Sequence, residues 1–473
     1  MTPRAHCSGP IGRRTWLQLG GLSLGALATG GLPNLSQLLA MEKVGGQRAI
    51  SKDFSVILFW ANGGPSHLDL FDMKPHAPAE YRGDFLPIRT NVPGMEITEM
   101  MPTLARMADK FAIIRSLHHE RGEHSGGTNR FLTGYPSRAS DLNDSEFPDV
   151  GSIVAKQLES DTRSIPPFMA NTKFYGSGPA YLGPAYAPYM PSPNPRSSTG
   201  DNRYDPIPIY RSGGSNDSLS ITSDGLLALD RRRGLLKSLD VLPRILDQHG
   251  TLPTLDGLQR RAIEMLASRS TREAFDLSLE DETTRQRYGE THFGKSLLTC
   301  RRLVEAGVRF VQCQAEYRLR PKTGVTSNWD DHSVNSHIFN AYREKLPSFD
   351  QSVSALIEDM DLRGLSKHVL FLFCGEFGRT PKLSYQDASR RPGRDHWPRA
   401  MSVFLAGGGL QMGQVIGATN RRGEEPVERI MDSNCLLATL YERFGIDTTT
   451  SYLTNAGRPI PILTTGQPIT ELL

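Results

Sequence analysis

Three short clusters in this chain carry acids, two of them beside a histidine. They are Trp329-Asp330-Asp331-His332, Cys374-Gly375-Glu376-Phe377-Gly378-Arg379-Thr380-Pro381 and Asp395-His396-Trp397. Carboxylate with imidazole is the donor set of Zn, Mn or Fe, whereas Ca prefers oxygen alone. Asp330 and His332 are two apart, so at an extended strand end they share a face and can converge on one ion. The competing reading is a satisfied loop histidine beside a helix N-cap. Glu376 directly follows an apolar run, with Gly375 and Gly378 close by, which makes it a candidate ligand or general base. Arg379 can grip a phosphate or sulfate through two parallel hydrogen bonds, or it can form only a loop ion pair with Glu376. Asp395 is placed to orient a ligating His396.

Two further clusters carry possible chemistry. In Asn62-Gly63-Gly64-Pro65-Ser66-His67-Leu68-Asp69 the glycines admit close backbone approach. His67 and Asp69 are candidate ligands or groups that support a ligand there, and a turn capped by Ser66 and Asp69 is the equal alternative. His118-His119-Glu120-Arg121-Gly122-Glu123-His124 holds three of the chain's twelve histidines. That density favours a metal or anion site and makes His124 a candidate ligand or base. Gly122 predicts a polar loop here rather than a helix, and no HExxH motif is present.

These residues need elements to hold them. Apolar runs at Phe54–Trp60, Phe111–Ile114, Val308–Cys313, Val369–Phe373 and Met401–Leu405 predict buried strands. Helical periodicity predicts helices opening at Pro102, at Val150–Leu158, at Ile338–Leu362 and at Ser433–Phe444. Strands alternating with helices predict an α/β fold, a mostly parallel sheet covered on both faces in three α/β/α layers. The chemical clusters then fall at carboxyl ends of strands, where open α/β sheets bind ligands. The span 166–306 reads as a helical and loop insertion. It begins rich in Gly, Pro and Tyr and becomes charged and periodic after Leu226.

Arg13-Arg14-Thr15-Trp16-Leu17, followed by a weakly apolar stretch to Leu32, has the layout of a twin-arginine (Tat) signal. It predicts a signal over 1–40, a single domain over 41–473, and a periplasmic or secreted location with the Tat machinery as partner. No later stretch has the roughly 20 apolar residues of a membrane span. Lysine plus arginine number 54 and aspartate plus glutamate 51, for a net charge of +3. That balance leaves no footprint for nucleic acid. The five cysteines include no CxxC spacing, so nothing in their pattern points to a cysteine zinc site. In an oxidising compartment some could pair, or all could be buried free thiols.

The Gly-Gly-x-Ser-His-x-Asp turn, the Trp-Asp-x-His cluster, the Gly-Glu-Phe-Gly-Arg-Thr-Pro run and Asp-His-Trp occur here in that order. In these motifs, over nearly all the chain beyond the signal, the sequence resembles the DUF1501 family of exported bacterial proteins. That family looks like a divergent branch of the alkaline phosphatase and sulfatase superfamily. The resemblance implies an alkaline-phosphatase-like α/β/α core and cleavage of phosphate or sulfate esters with the help of metal ions.

Carried over by position, the superfamily's nucleophile falls ten residues before Gly134 of Phe131-Leu132-Thr133-Gly134, at His124, which is not a hydroxyl or thiol. Its first-strand metal Asp falls at Asn62, and its later Asp-His pair falls at Glu376 and Phe377. Its other metal site is complete in Asp330, His332 and His396. The leading expectation is an exported hydrolase-like protein that acts on phosphate or sulfate esters through metal-activated water. Zn is the first choice of divalent metal, with Mn, Fe or Ca as alternatives, and the substrate is a small-molecule or glycan ester. The alternative is a non-catalytic binding protein of the same fold that recognises sulfated or phosphorylated glycans. A third reading is a surface scaffold that uses the Tyr- and Pro-rich segment.

Overall fold

The computed structural model describes residues 53–141, 143–159, 165–191, 209–210, 269–317, 324–386, 388 and 390–473. The expected Tat signal, the charged stretch 226–268 and positions 192–208 and 211–218 of the Tyr- and Pro-rich segment lie outside them. Among the described residues no helix is long and apolar enough to cross a membrane.

Every apolar run forms a strand. They are β1 (Ser55–Trp60), β2 (Phe111–His118), β3 (Phe168–Ala170), β4 (Phe310–Gln314), β5 (Val369–Cys374) and β6 (Met401–Gly407), with the short β7 (Gln414–Ile416) and β8 (Met431–Asp432). One sheet takes the order β7-β2-β6-β5-β1-β4-β3, with β8 also paired to β2. All pairings are parallel except those of β6, which runs antiparallel to both β5 and β2. All six residues of β1 and of β5 are buried, as expected for central strands covered on both faces.

Successive side chains of β1 enter different layers. Ile57 and Phe59 join a core with Phe293 and Leu297 of α3 (His292–Glu305) and Leu346 and Phe349 of α4 (Ile338–Leu362). Val56, Leu58 and Trp60 join the opposite core. They meet Phe131 of α1 (His124–Thr133), Ile153 of α2 (Val150–Gln157) and Leu436 of α5 (Ser433–Phe444). The result is the expected three-layer α/β/α sandwich.

Three local findings refine these expectations. The loop expected around Gly122 is present at 119–123, between the end of β2 at His118 and α1, which forms from the polar segment beyond it, where the sequence predicts no element. Gly126 and Gly127 are poor helix formers, yet a Cβ on Gly127 would meet Phe377 Cδ1 at 3.1 Å and Glu376 Cβ at 3.2 Å. Close packing overrides propensity there. The helix opened by Pro102 stops after four residues, Pro102–Ala105. The Asp350 carboxylate accepts from its Thr103 and Leu104 amides at 2.9 and 2.8 Å. The described ends of the span 166–306 belong to the core layers: β3 extends the sheet, and α3 buries Phe293, Leu297, Leu303 and Val304.

Asp69 takes the structural one of its two readings. It accepts from Ser66 Oγ at 2.5 Å and from Arg394 Nε at 2.7 Å, and both members of the ion pair are fully buried. Removing one partner of a buried pair strands the other charge. Asp69→Ala is therefore expected to destabilise the fold by about 3–5 kcal/mol in urea unfolding. A loss near zero would show that Arg394 is satisfied by its carbonyl partners alone.

Candidate metal centre

Four strand ends deliver the site. The Trp329 indole N–H donates to the Ala315 carbonyl just beyond β4 at 2.7 Å, and its amide donates to the Asn62 carbonyl beyond β1 at 2.9 Å. Buried Trp329 thus holds Asp330 over the junction of β1 and β4. Gly63 has φ +100°, and a Cβ there would lie 2.4 Å from the Asp330 nitrogen, so only glycine allows this approach. β5 leads to Glu376, and the chain then forms a ladder of Gly378–Arg379 with His396–Trp397. Its register sets Arg379 opposite His396. β2 leads to His124, the first residue of α1.

Four of the six expected ligands, Asp330, His332, His396 and His124, come together. One nitrogen or oxygen from each of His124, Asp330 and His396 lies within 4.8 Å of the others. His332 Nε2 is 3.0 Å from His396 Nε2 and 3.0 Å from Asp330 Oδ1. His396 Nε2 is 3.1 Å from Asp330 Oδ1, and His124 Nε2 is 3.6 Å from Asp330 Oδ2. Each imidazole is anchored through its other nitrogen. His332 Nδ1 pairs with Asp395 Oδ1 at 2.8 Å, His396 Nδ1 with the Gly122 carbonyl at 2.8 Å, and His124 Nδ1 with Glu376 Oε1 at 2.7 Å. In a neutral ring such anchoring would put the proton on Nδ1 and leave the Nε2 lone pair facing the centre, as metal-binding histidines require.

The spacing also fits an ion. Zn–N bonds of roughly 2.0–2.1 Å in a tetrahedron hold ligand atoms about 3.3 Å apart, so the 3.0–3.6 Å separations here need little adjustment.

Three expectations are revised by position. Asp395, next to His396, orients His332 instead. Glu376 reaches the cluster only through His124: its Oε1 also accepts from the Gly63 amide at 2.8 Å, and its buried Oε2 has no hydrogen-bond partner. It supports a ligand and is not itself in the ligand group. Arg379 is fully buried. It donates to the carbonyls of Gly63, Gly64, Trp329 and Arg394 and to Asp330 Oδ1, the last at 2.6 Å. It therefore fixes Asp330 and does not face an oxyanion.

His67 stands outside the cluster. Its Nε2 donates to the Gly423 carbonyl at 2.8 Å. Asp331 likewise turns away, to a buried ion pair with Lys345 at 2.8 Å.

Two supporting groups carried no side-chain signal in the sequence, the Gly122 carbonyl and the Gly63 amide. A third, His119, was visible only as part of the histidine-rich run. Its Nε2 donates to the Glu376 carbonyl at 2.5 Å, and its Nδ1 accepts from the Arg121 amide at 3.1 Å. Burial pulls its pKa down to about 4, so it serves as a neutral strut. The Phe377 ring packs against His396 at 4.3 Å between centroids and against His124 at 5.5 Å, forming a dry wall.

Burial opposes charge on Asp330, but Arg379 and the three histidines outweigh it and hold the carboxyl well below its usual range. Burial likewise opposes charge on His124, yet hydrogen bonds to Asp330 and Glu376 push it up to about 9. His332 is raised despite burial by its bonds to Asp330 and Asp395, while burial lowers neighbouring His396. The two rings, 3.0 Å apart, are thus shifted in opposite directions.

The His124 shift sets a pH dependence for the metal-free protein. A raised folded-state pKa contributes stability that is complete below the ordinary value of 6.5 and is lost as pH rises through about 9. The stability gap between chelator-treated parent and His124→Gln, read by denaturant unfolding, is therefore expected to shrink from pH 6.5 to 9. A gap constant over that window would contradict the charged His124.

No curated protein matches the chain. Among solved structures it is similar to the PsFucS1 sulfatase from Pseudoalteromonas sp., at 10% identity, covering 88% of this chain and 72% of that one with a TM-score of 0.38. It is also similar to the C-terminal periplasmic domain of EcEptC from Escherichia coli in complex with Zn, at 10% identity, covering 90% and 94% with a TM-score of 0.35. The phosphonate monoester hydrolase of Agrobacterium radiobacter is a third, at 12% identity, covering 88% and 78% with a TM-score of 0.35. The family model described as Protein of unknown function (DUF1501) matches residues 53–473, which carry every strand of the sheet and every residue of the centre, and the chain belongs to that family.

Proposed function

We propose that this protein is an exported, metal-dependent hydrolase acting on phosphate or sulfate esters. One observation carries the reading: three imidazoles, each anchored through Nδ1, turn their Nε2 atoms toward one carboxylate at the carboxyl ends of parallel strands. Asp330, His332 and His396 would hold the cation. Zn is the first choice, because the set is rich in imidazole, with Mn, Fe or Ca as alternatives. When bound, such a cation supplies Lewis acidity and lowers the pKa of water.

The remaining chemistry belongs to the chain. His124, oriented by Glu376, would complete the ligand set or accept a proton from the attacking water. Arg379 holds Asp330 in place, and Phe377 keeps one wall of the centre dry. The ester class rests on the family resemblance. Export through the Tat pathway and a periplasmic or secreted location rest on Arg13-Arg14 and the apolar stretch that follows.

The second reading, a non-catalytic protein that binds sulfated or phosphorylated glycans, is favoured by a specific geometry. Among the described residues no hydroxyl stands ready as a nucleophile beside His124. Ser125 Oγ is directed to the Ser140 carbonyl at 3.3 Å, and Thr128 Oγ1 donates to the His124 carbonyl at 2.8 Å.

Elemental analysis of the exported protein beside His332→Ala and His396→Ala tests the metal. Near-stoichiometric metal is expected in the parent and a loss in both variants. A folded parent without metal would sink the metal reading. Asp395→Asn keeps the ligands and is expected to weaken metal affinity by roughly 10–100-fold. Product release from a panel of phosphate and sulfate esters then separates the two readings: turnover selects the hydrolase, and saturable binding without turnover selects the glycan-binding protein.

A further inference from the structure

Asp331 stands between two residues of the centre, Asp330 and His332, yet faces away from it. Its carboxylate is fully buried, and both oxygens are held. Oδ1 accepts from Thr326 Oγ1 at 2.6 Å, and Oδ2 accepts from Lys345 Nζ at 2.8 Å. Its carbonyl accepts from the Arg394 amide at 3.2 Å, one residue before the Asp395 that anchors His332. Whatever fixes Asp331 therefore fixes the backbone that aims its two neighbours.

Lys345 comes from α4 and has no exposed surface. An ammonium has three donors and no acceptor. Here the donors meet the Asp331 carboxylate, the Asn328 carbonyl and, at 3.4 Å, Thr326 Oγ1. All three acceptors belong to the loop 326–331. The ammonium also lies 5.1 Å from the centroid of the Trp329 ring, and Trp329 ties the same loop to the ends of β4 and β1. One turn earlier on α4, the Tyr342 hydroxyl accepts from the Ser66 amide at 2.8 Å. One face of α4 thus grips the loops beyond both β1 and β4.

A buried ion pair is a weak source of net stability, because apolar residues of similar volume often hold two elements together equally well. What charge and hydrogen bonds add here is direction. We propose that Lys345 is a positioning residue of the metal centre. Its hydrogen bonds reach none of the ligand side chains. It draws the loop 326–331 onto α4, and so sets the aim of Asp330 and His332 before a cation binds. The inference rests on the metal-dependent reading of this site.

The test reads Co(II) affinity and the visible d–d spectrum of bound Co(II) in full-length protein that has been stripped by chelator and reloaded. Lys345→Met alone strands the Asp331 charge and endangers the fold. The decisive variant is therefore Asp331→Leu with Lys345→Met, which removes both charges together. Thr326→Val is its milder companion, because it keeps the ion pair and removes one hydroxyl. Leu356→Ala, a buried position about 16 Å further along α4, serves as the control for lost stability alone. The double variant is expected to bind Co(II) at least roughly tenfold more weakly, with an altered spectrum. Thr326→Val is expected to move both readouts the same way by less. Leu356→Ala is expected to unfold at lower denaturant concentration and to bind Co(II) as the parent does. A folded double variant with the parent's affinity and spectrum would overturn the role of Lys345, and so would an equal loss of affinity in Leu356→Ala. Should the double variant not fold, parent-like affinity and spectrum in Thr326→Val overturn it. A folded parent that takes up no Co(II) is a different outcome, which sinks the metal reading and the role of Lys345 together.

Discussion

A single buried guanidinium organises the business end of this protein. Arg379 has no exposed surface, so its N–H groups must find acceptors inside the fold. It finds them in the carbonyls of Gly63 and Gly64 beyond β1, of Trp329 beyond β4, of Arg394 ahead of the returning ladder strand, and in the Asp330 carboxylate. Three loops from three parts of the chain are thereby shaped around one side chain. A lysine could not replace it, because only the planar fork presents donors in several directions at once. The site is built as much on this scaffold as on the groups that face solvent.

The charge arrangement follows from that anchor. Asp330 remains an anion in a partly buried place because Arg379 pays back its lost hydration and three imidazoles surround it. The imidazoles cannot all be charged at such short range, and their surroundings divide the protons, with His124 and His332 raised and His396 lowered. A divalent cation would substitute for those protons, so its uptake depends on pH and releases protons. The Phe377 ring limits water on one side, which strengthens every electrostatic interaction within the centre.

Much of this molecule was legible before folding was considered. β1, β5 and β6 announce themselves because strands buried on both faces must be continuously apolar. α4 and α5 match their expected bounds because the apolar spacing of Leu346, Phe349, Val353, Leu356 and Met360 has a helical period and all five are buried. α1 was hidden. Its two glycines argue against a helix, and the near approach of Glu376 and Phe377 explains Gly127. α3 was legible as a helix but not as a core element, because the long span before it masked its place.

The sequence by itself determined the donor types and the local pairs. Asp330 with His332, and Glu376 beyond a buried strand, are short-range patterns that the chain geometry of a strand end makes meaningful. Only the tertiary structure decided who supports whom. His332 takes its anchor from Asp395 and His124 from Glu376, 63 and 252 residues away, and His67 falls outside the group altogether. The physical reason is the sheet order. In β7-β2-β6-β5-β1-β4-β3, neighbours in space are distant in sequence, so the convergence of β1, β2, β4 and β5 at one end carries no local period for a reader to find.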